Sequence, residues 1–229
     1  MRLLIPFFIF MWVLSANAQR SFPANRDSHV KISTNLGEMI FKLYKETPKH
    51  HTNFVRLVKK GYFDAYDFNR IIKGFVIQGG ETDSAYAAME KAGEVLKRLP
   101  AELNSQLFHQ KGALAAGRDD NKEKASFLGQ IYVVDGKKYT DQQLDAFEKR
   151  IGKDFQFSAE ARRIYKEVGG TPSLDQNYTI FGQLVKGWEV LDRIAGQSKD
   201  KSDRPLMKIK IKVSMLSKKE VHYLYRPDE

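Results

Sequence analysis

The chain has 229 residues, a formal net charge of +10 and no cysteine. Its length allows one domain with a sizeable core, and the missing cysteines exclude disulfides, thiol chemistry and cysteine-ligated zinc. The positive excess is dispersed rather than blocked, the pattern of a solvated basic surface.

The chain opens MRLLIPFFIFMWVLSANAQR. Arg2 precedes an apolar run from Leu3 to Leu14, and Ala16-Asn17-Ala18 forms an A-x-A site before Gln19. This is the pattern of a cleavable secretory signal peptide, cut after Ala18. The run is shorter than the ~20 apolar residues of a spanning helix. Residues 1–18 are therefore set apart from a domain over 19–217. The mature protein is expected in a periplasm or outside the cell, without a stable membrane anchor. There a basic surface meets anionic lipid or acidic polypeptide rather than nucleic acid.

From His29 to Tyr44, Val30, Ile32 and Thr34 alternate with Lys31 and Ser33, and beyond Asn35-Leu36-Gly37 Met39, Phe41 and Leu43 alternate with Ile40 and Lys42. That spacing predicts a hairpin. Thr47 and Pro48 then open a helix whose apolar face is Phe54, Leu57 and Val58, and Gly61 stops it. The adjacent His50 and His51 point different ways on a helix, so they read as surface residues rather than metal ligands. Further strand-like runs lie near 66–72, 112–116, 129–135, 178–185 and 206–216, with a short helix over 187–196. Two amphipathic helices interrupt them. Thr140 and Gln143 make a capping box before Leu144, Phe147 and Ile151. Ser158 caps a second helix that carries Ala161, Ile164, Tyr165 and Val168 on one face, up to Gly169. They predict a helical hairpin inserted at about 136–170 in an otherwise β domain, with residues 218–229 left as a tail.

The segment FNRIIKGFVIQGG carries the chemistry. As a strand it places Phe68, Arg70 and Ile72 on one side, and Phe75 and Ile77 opposite Val76 and Gln78. An arginine among aromatic side chains needs a reason, because burying an unpaired charge is costly. Its guanidinium offers five donors in a rigid fork, and Gln78 is placed to hold it. Gly79-Gly80 reads as a relaxed turn rather than a phosphate cradle, since no helix N-terminus with Lys-Ser/Thr follows.

This segment resembles the signature of the cyclophilins, peptidyl-prolyl cis–trans isomerases, which reads close to F-H-R-[VI]-I-x-G-F-[MV]-[IC]-Q-G-G; Asn69 is the departure. VKISTNLGEMIFKLYKETPKHHTNFVRLVKKGYFDAYDF is similar to the family's opening hairpin and first helix. KGALAAGRDDNKEKASFLGQIYVV resembles its central block, and LDQNYTIFGQLVKGWEVLDRI its closing block. The likeness covers residues 28–216 apart from the inserted helices. It implies a mainly β fold: a closed antiparallel β-barrel capped by two α-helices, here with the helical hairpin inserted.

The resemblance also implies the roles. Arg70 matches the catalytic arginine, with Gln78 orienting it and Phe75 holding the proline ring. Val76, Tyr132 (more often Phe in the family) and Leu174 complete the pocket floor, and Gln130 stands beside it. Gly117, Arg118 and Asp119 align with the segment that binds the backbone before proline, where the family often has Ala-Asn-Ala. Tyr178 stands where many members have His, and Ser173 where many eukaryotic members have the Trp that helps bind the inhibitor cyclosporin. No metal or cofactor is implied. The implied partners are proline-containing unfolded or flexible polypeptides, met as a monomer, and the insertion is expected to be non-catalytic. Two other readings stay open: a binding or chaperone module on the same fold with little isomerase activity, and a binder of anionic polymers driven by charge alone.

Overall fold

The computed structural model describes residues 28–226; the leader read over 1–18 lies outside them. The opening hairpin is β1 (Ser28–Thr34) and β2 (Gly37–Leu43), in register from Ser28–Leu43 to Thr34–Gly37. Helix α1 (Pro48–Lys59) follows, then a 3-10 turn (Tyr62–Ala65), β3 (Asp67–Ile72) and β4 (Val76–Gly80). Next come α2 (Asp83–Lys91), β5 (Arg98–Leu99), β6 (Ala113–Ala116), β7 (Ser126–Phe127) and β8 (Gln130–Val134). The inserted α3 (Asp141–Ile151) and α4 (Ala159–Glu167) lead to a second 3-10 turn (Pro172–Leu174), β9 (Ile180–Lys186) and α5 (Trp188–Ala195). The chain ends with β10 (Ile209–Lys210), β11 (Lys212–Met215) and α6 (Lys218–Leu224).

Nine strands form one antiparallel sheet in the order β10-β3-β4-β8-β6-β9-β2-β1-β11. Its two outermost strands are consecutive in sequence, separated only by Ile211, whose N–H donates to the Tyr66 carbonyl at 3.1 Å. The sheet therefore curls into a nearly closed barrel. Inward side chains such as Ile32, Met39, Phe41, Phe68, Ile71, Ile77 and Leu114 fill it. The two predicted capping helices press Phe54, Leu57 and Val58 of α1, and Val190, Leu191 and Ile194 of α5, into the same core. Burying such side chains is worth roughly 1.5–3 kcal/mol each.

Several local expectations are corrected. Thr47 precedes α1 without a side-chain capping bond, and its buried hydroxyl has no partner among the described residues. His50 and His51 are buried, not superficial. His50 Nδ1 lies 2.7 Å from Glu102 Oε2 and its Nε2 3.0 Å from Ser126 Oγ; His51 Nε2 lies 2.6 Å from Ser28 Oγ. These partners come from distant segments, beyond the reach of helix periodicity. The supposed tail begins as α6, opened by a capping box between Ser217 and Glu220, and Tyr225 just beyond it meets His29 at 2.7 Å.

The inserted helices keep their predicted caps, at Thr140 with Gln143 and at Ser158. They form a satellite core of Leu144, Phe157, Ala161 and Tyr165 against Phe108. Val168, expected on the apolar face, is exposed. Arg162 is three-quarters covered and bonds Asp141, Asp145 and Glu148.

Candidate active site

A β-bulge sets the phase of the signature segment. Phe68 pairs with Gly79 and Arg70 with Gln78, which leaves Asn69 as the extra residue; its amide nitrogen donates to the Gly80 carbonyl at 2.8 Å. Such an insertion resets which residues share a face. Phe68 accordingly joins Ile71 inside the barrel, and Arg70 stands on the outer wall beside Gln78 and Val76. The simple alternation that grouped Phe68 with Arg70 is broken at this point. Gly79 lies against the interior, where a Cβ would meet Ile211 Cδ1 at 2.6 Å and Phe68 Cδ1 at 3.1 Å. Gly80 has φ +84, and a Cβ there would lie 2.0 Å from the Gly129 carbonyl. The glycine pair is thus the end of a strand squeezed on both sides. Helix α2 does follow it, capped by Thr82, but no Lys-Ser/Thr accompanies the turn.

The outer wall carries its own apolar cluster: Val76 of β4, Ala113 and Ala115 of β6, Tyr132 and Val134 of β8, and Ile180 of β9. The small side chains of β6 leave room above the sheet, and Phe75, Leu174 and Tyr178 pack there half-buried. A cavity of about 160 Å³ opens over this cluster. Ten of the eleven residues expected at the site line it: Arg70, Phe75, Val76, Gln78, Gly117, Arg118, Gln130, Tyr132, Leu174 and Tyr178. Asp119 does not. Arg98 holds its carboxylate through two bonds of 2.9 and 2.8 Å, beside a neighbouring cavity. Asp83 lines the 160 Å³ cavity instead. The cap Thr82 just before it was the sequence signal that marks its helix.

Each polar group has a definite engagement. Gln130 crosses over Gly117, where a Cβ would lie 1.9 Å from its Oε1, and donates to Glu81 O at 3.1 Å and Asp83 Oδ1 at 2.7 Å. Arg118 is clamped on Asn177, donating to its carbonyl at 2.8 Å and to its side-chain oxygen, and lies over the Tyr178 ring at 4.9 Å. Burial pushes the Tyr178 phenol up, so it stays protonated at neutral pH. Arg70 is different. Among the described residues its side chain makes no hydrogen bond or ion pair, and neither does that of Gln78. Gln78 is its cross-strand neighbour, not a hydrogen-bonded holder. The site therefore offers an apolar, ring-lined floor with one uncommitted five-donor cation at its edge.

Glu102, His50 and Ser126 are spaced like a charge-relay triad but sit elsewhere. His50 and Ser126 are fully buried, and the void beside His50 is about 10 Å³, room for at most one water. They pin the 98–102 and 126–127 segments to α1.

The cavity thus lies on the outer wall of a nearly closed β-barrel. The sequence matches the family model "Cyclophilin type peptidyl-prolyl cis-trans isomerase/CLD" over residues 29–215. A Staphylococcus epidermidis protein described as a peptidyl-prolyl cis-trans isomerase is 31% identical over 191 residues, spanning 81% of this chain and 91% of its own. A Streptococcus pyogenes bifunctional phosphatase/peptidyl-prolyl cis-trans isomerase is 35% identical over 182 residues, which is 77% of this chain and 36% of that longer protein. A Cryptosporidium parvum cyclophilin-type isomerase shares the fold, with a TM-score of 0.60 at 24% identity over 84% of this chain and 99% of its own. The chain belongs to the cyclophilin-type peptidyl-prolyl cis–trans isomerase family.

Proposed function

We propose that this isomerase turns X-Pro bonds in exported or envelope polypeptides, with Arg70 stabilising the twisted amide. An X-Pro bond prefers trans by only ~0.5–1 kcal/mol, yet rotation crosses ~18–20 kcal/mol because amide resonance must be lost. A donor aimed at the prolyl nitrogen lone pair favours the pyramidal nitrogen of the twisted state, and no covalent bond need break. Selective stabilisation of that kind raises kcat rather than binding alone.

The observation that carries this reading is the uncommitted guanidinium of Arg70 beside a ring-lined cavity. Phe75, Tyr132 and Leu174 supply the surface for the prolyl ring. Gly117 and Arg118 border the path of the preceding backbone. The export assignment rests on the leader pattern at residues 1–18.

NMR exchange spectroscopy on a short X-Pro peptide is the deciding measurement. Faster cis–trans exchange at micromolar protein is expected, and no enhancement would reduce the chain to a binding module. Export is tested by expressing the full chain in a bacterium with a periplasm and sequencing the N-terminus recovered there. Gln19 is expected; an intact Met1 in the cytoplasm would reject it.

A further inference from the structure

A chain of four buried side chains runs from the inserted helices to the pocket floor. Tyr165 of α4 donates its hydroxyl to Asp175 Oδ2 at 2.5 Å. Asp175 Oδ1 accepts from the backbone N–H of His109 at 2.8 Å and lies 2.6 Å from His109 Nδ1. His109 Nε2 lies 2.9 Å from the Tyr132 hydroxyl, with the two rings stacked 11° from parallel. All four residues are at most 4% exposed. A carboxylate only accepts, so the imidazole proton belongs on Nδ1 and Nε2 accepts from Tyr132. The phenol oxygen of this cavity-lining residue is thereby engaged by His109. That ring meets Tyr178 edge-on, at 84° and 5.8 Å.

The ends of the insertion reach the same pocket from behind. The Phe75 carbonyl accepts from the N–H groups of Asp135 and Gly136, each at 3.0 Å, and from the Thr171 hydroxyl at 3.3 Å. Gly170 lies against two of the four relay residues, since a Cβ there would meet His109 O at 2.3 Å and Tyr165 Cε1 at 2.5 Å.

We propose that Tyr165, carried by the insertion, is a positioning residue for the proline pocket, acting through Asp175 and His109 on the tilt of Tyr132. The proposal rests on the isomerase reading of the cavity. It gives the insertion a role in substrate affinity without contact with substrate. A hydroxyl on the pocket ring would otherwise present a polar atom to the prolyl ring, and the relay occupies it.

The test is a double-mutant cycle of wild type, Tyr165→Phe, Tyr132→Phe and the pair, with kcat and KM measured separately on an X-Pro peptide. Loss of one hydrogen bond to a buried carboxylate should raise KM roughly three- to ten-fold in Tyr165→Phe and leave kcat within about two-fold. In the Tyr132→Phe background, which has no hydroxyl left to hold, the same change should move KM by less than about two-fold. Equal effects in both backgrounds, or an unchanged KM in Tyr165→Phe, would overturn the proposal. The imidazole nitrogens of His109 provide a second reading by ¹⁵N NMR on the wild-type protein, independent of folding in any variant. A proton on Nδ1 is expected, and a ring with a bare Nδ1 and its proton on Nε2 would overturn the relay. A wild type without exchange activity would reject the isomerase reading instead, and the imidazole spectrum would still decide the relay.

Discussion

Replacing Arg70 with alanine separates catalysis from folding. In most proteins, truncating an arginine on a sheet strands an acidic partner. Here the guanidinium has no protein partner among the described residues, so its loss leaves no orphaned group. The unfolding free energy should stay within about 0.5 kcal/mol of wild type, the range for substitutions away from packed or paired sites. Activity should not. One preorganised donor at a site of developing charge is worth ~10²–10³-fold in kcat, about 2.7–4 kcal/mol. Arg70 is only partly buried at the cavity edge, so solvent screens part of this, and the lower figure of about 10²-fold in kcat/KM applies. Arg70→Lys should recover little, because a point charge on a flexible stem lacks the fork. Protease-coupled or NMR exchange measurements give the rates, and urea unfolding gives the stability. A fully active Arg70→Ala protein would refute the twisted-amide mechanism.

Three other outcomes are expected. Gly79→Ala should destabilise the fold by about 1–3 kcal/mol, since its Cβ would overlap Ile211 and Phe68 in a closed interior; an unchanged urea midpoint would contradict that packing. Ser173 is exposed beside Leu174 on the cavity rim. Wild type should therefore bind cyclosporin weakly, and Ser173→Trp should tighten it by about 2 kcal/mol, or ~30-fold, in a fluorescence titration; nanomolar binding by wild type would reject this. Burial lowers the pKa of His50 below its ordinary 6.5 despite the opposing pull of Glu102. A depressed folded value means the unfolded chain takes up the proton first. The stability contribution is thus complete above about pH 6.5 and is lost as pH falls towards the folded pKa. His50→Gln should flatten the pH slope of stability in that window, and an unchanged slope in urea titrations would refute it.

What the sequence disclosed depended on how far each determinant reaches. The caps of α3 and α4 lie within three residues of what they cap, and Thr140, Gln143 and Ser158 act as read. The hairpin alternation held because both faces are set by adjacent strands in register. Ten residues named from the family signature line one cavity because the signature fixes their spacing. The bulge at Asn69 was not, because it exists only through the bond to Gly80 and the match of β3 to β4. His50 and His51 were misplaced for the same reason, as Glu102, Ser126 and Ser28 are far away in sequence. The helices α2 and α6 carried local signals, Thr82 and the Ser217/Glu220 box, that went unread beside stronger neighbours. Gln78 was expected to grip Arg70; register makes them neighbours, but adjacency alone forms no bond.

The closure of the barrel through Ile211 fixes an order of events during synthesis. The first strand, β1, finds one partner in β11, and β3 finds one in β10. A nascent chain that has not yet reached residues 209–215 leaves both strands bare along one edge. Such open edges are templates for pairing with other chains, and contacts between distant parts of a sequence form slowly. The polypeptide thus stays unlocked until nearly its last strand emerges. A chain held open for that long needs protection from its neighbours during the interval.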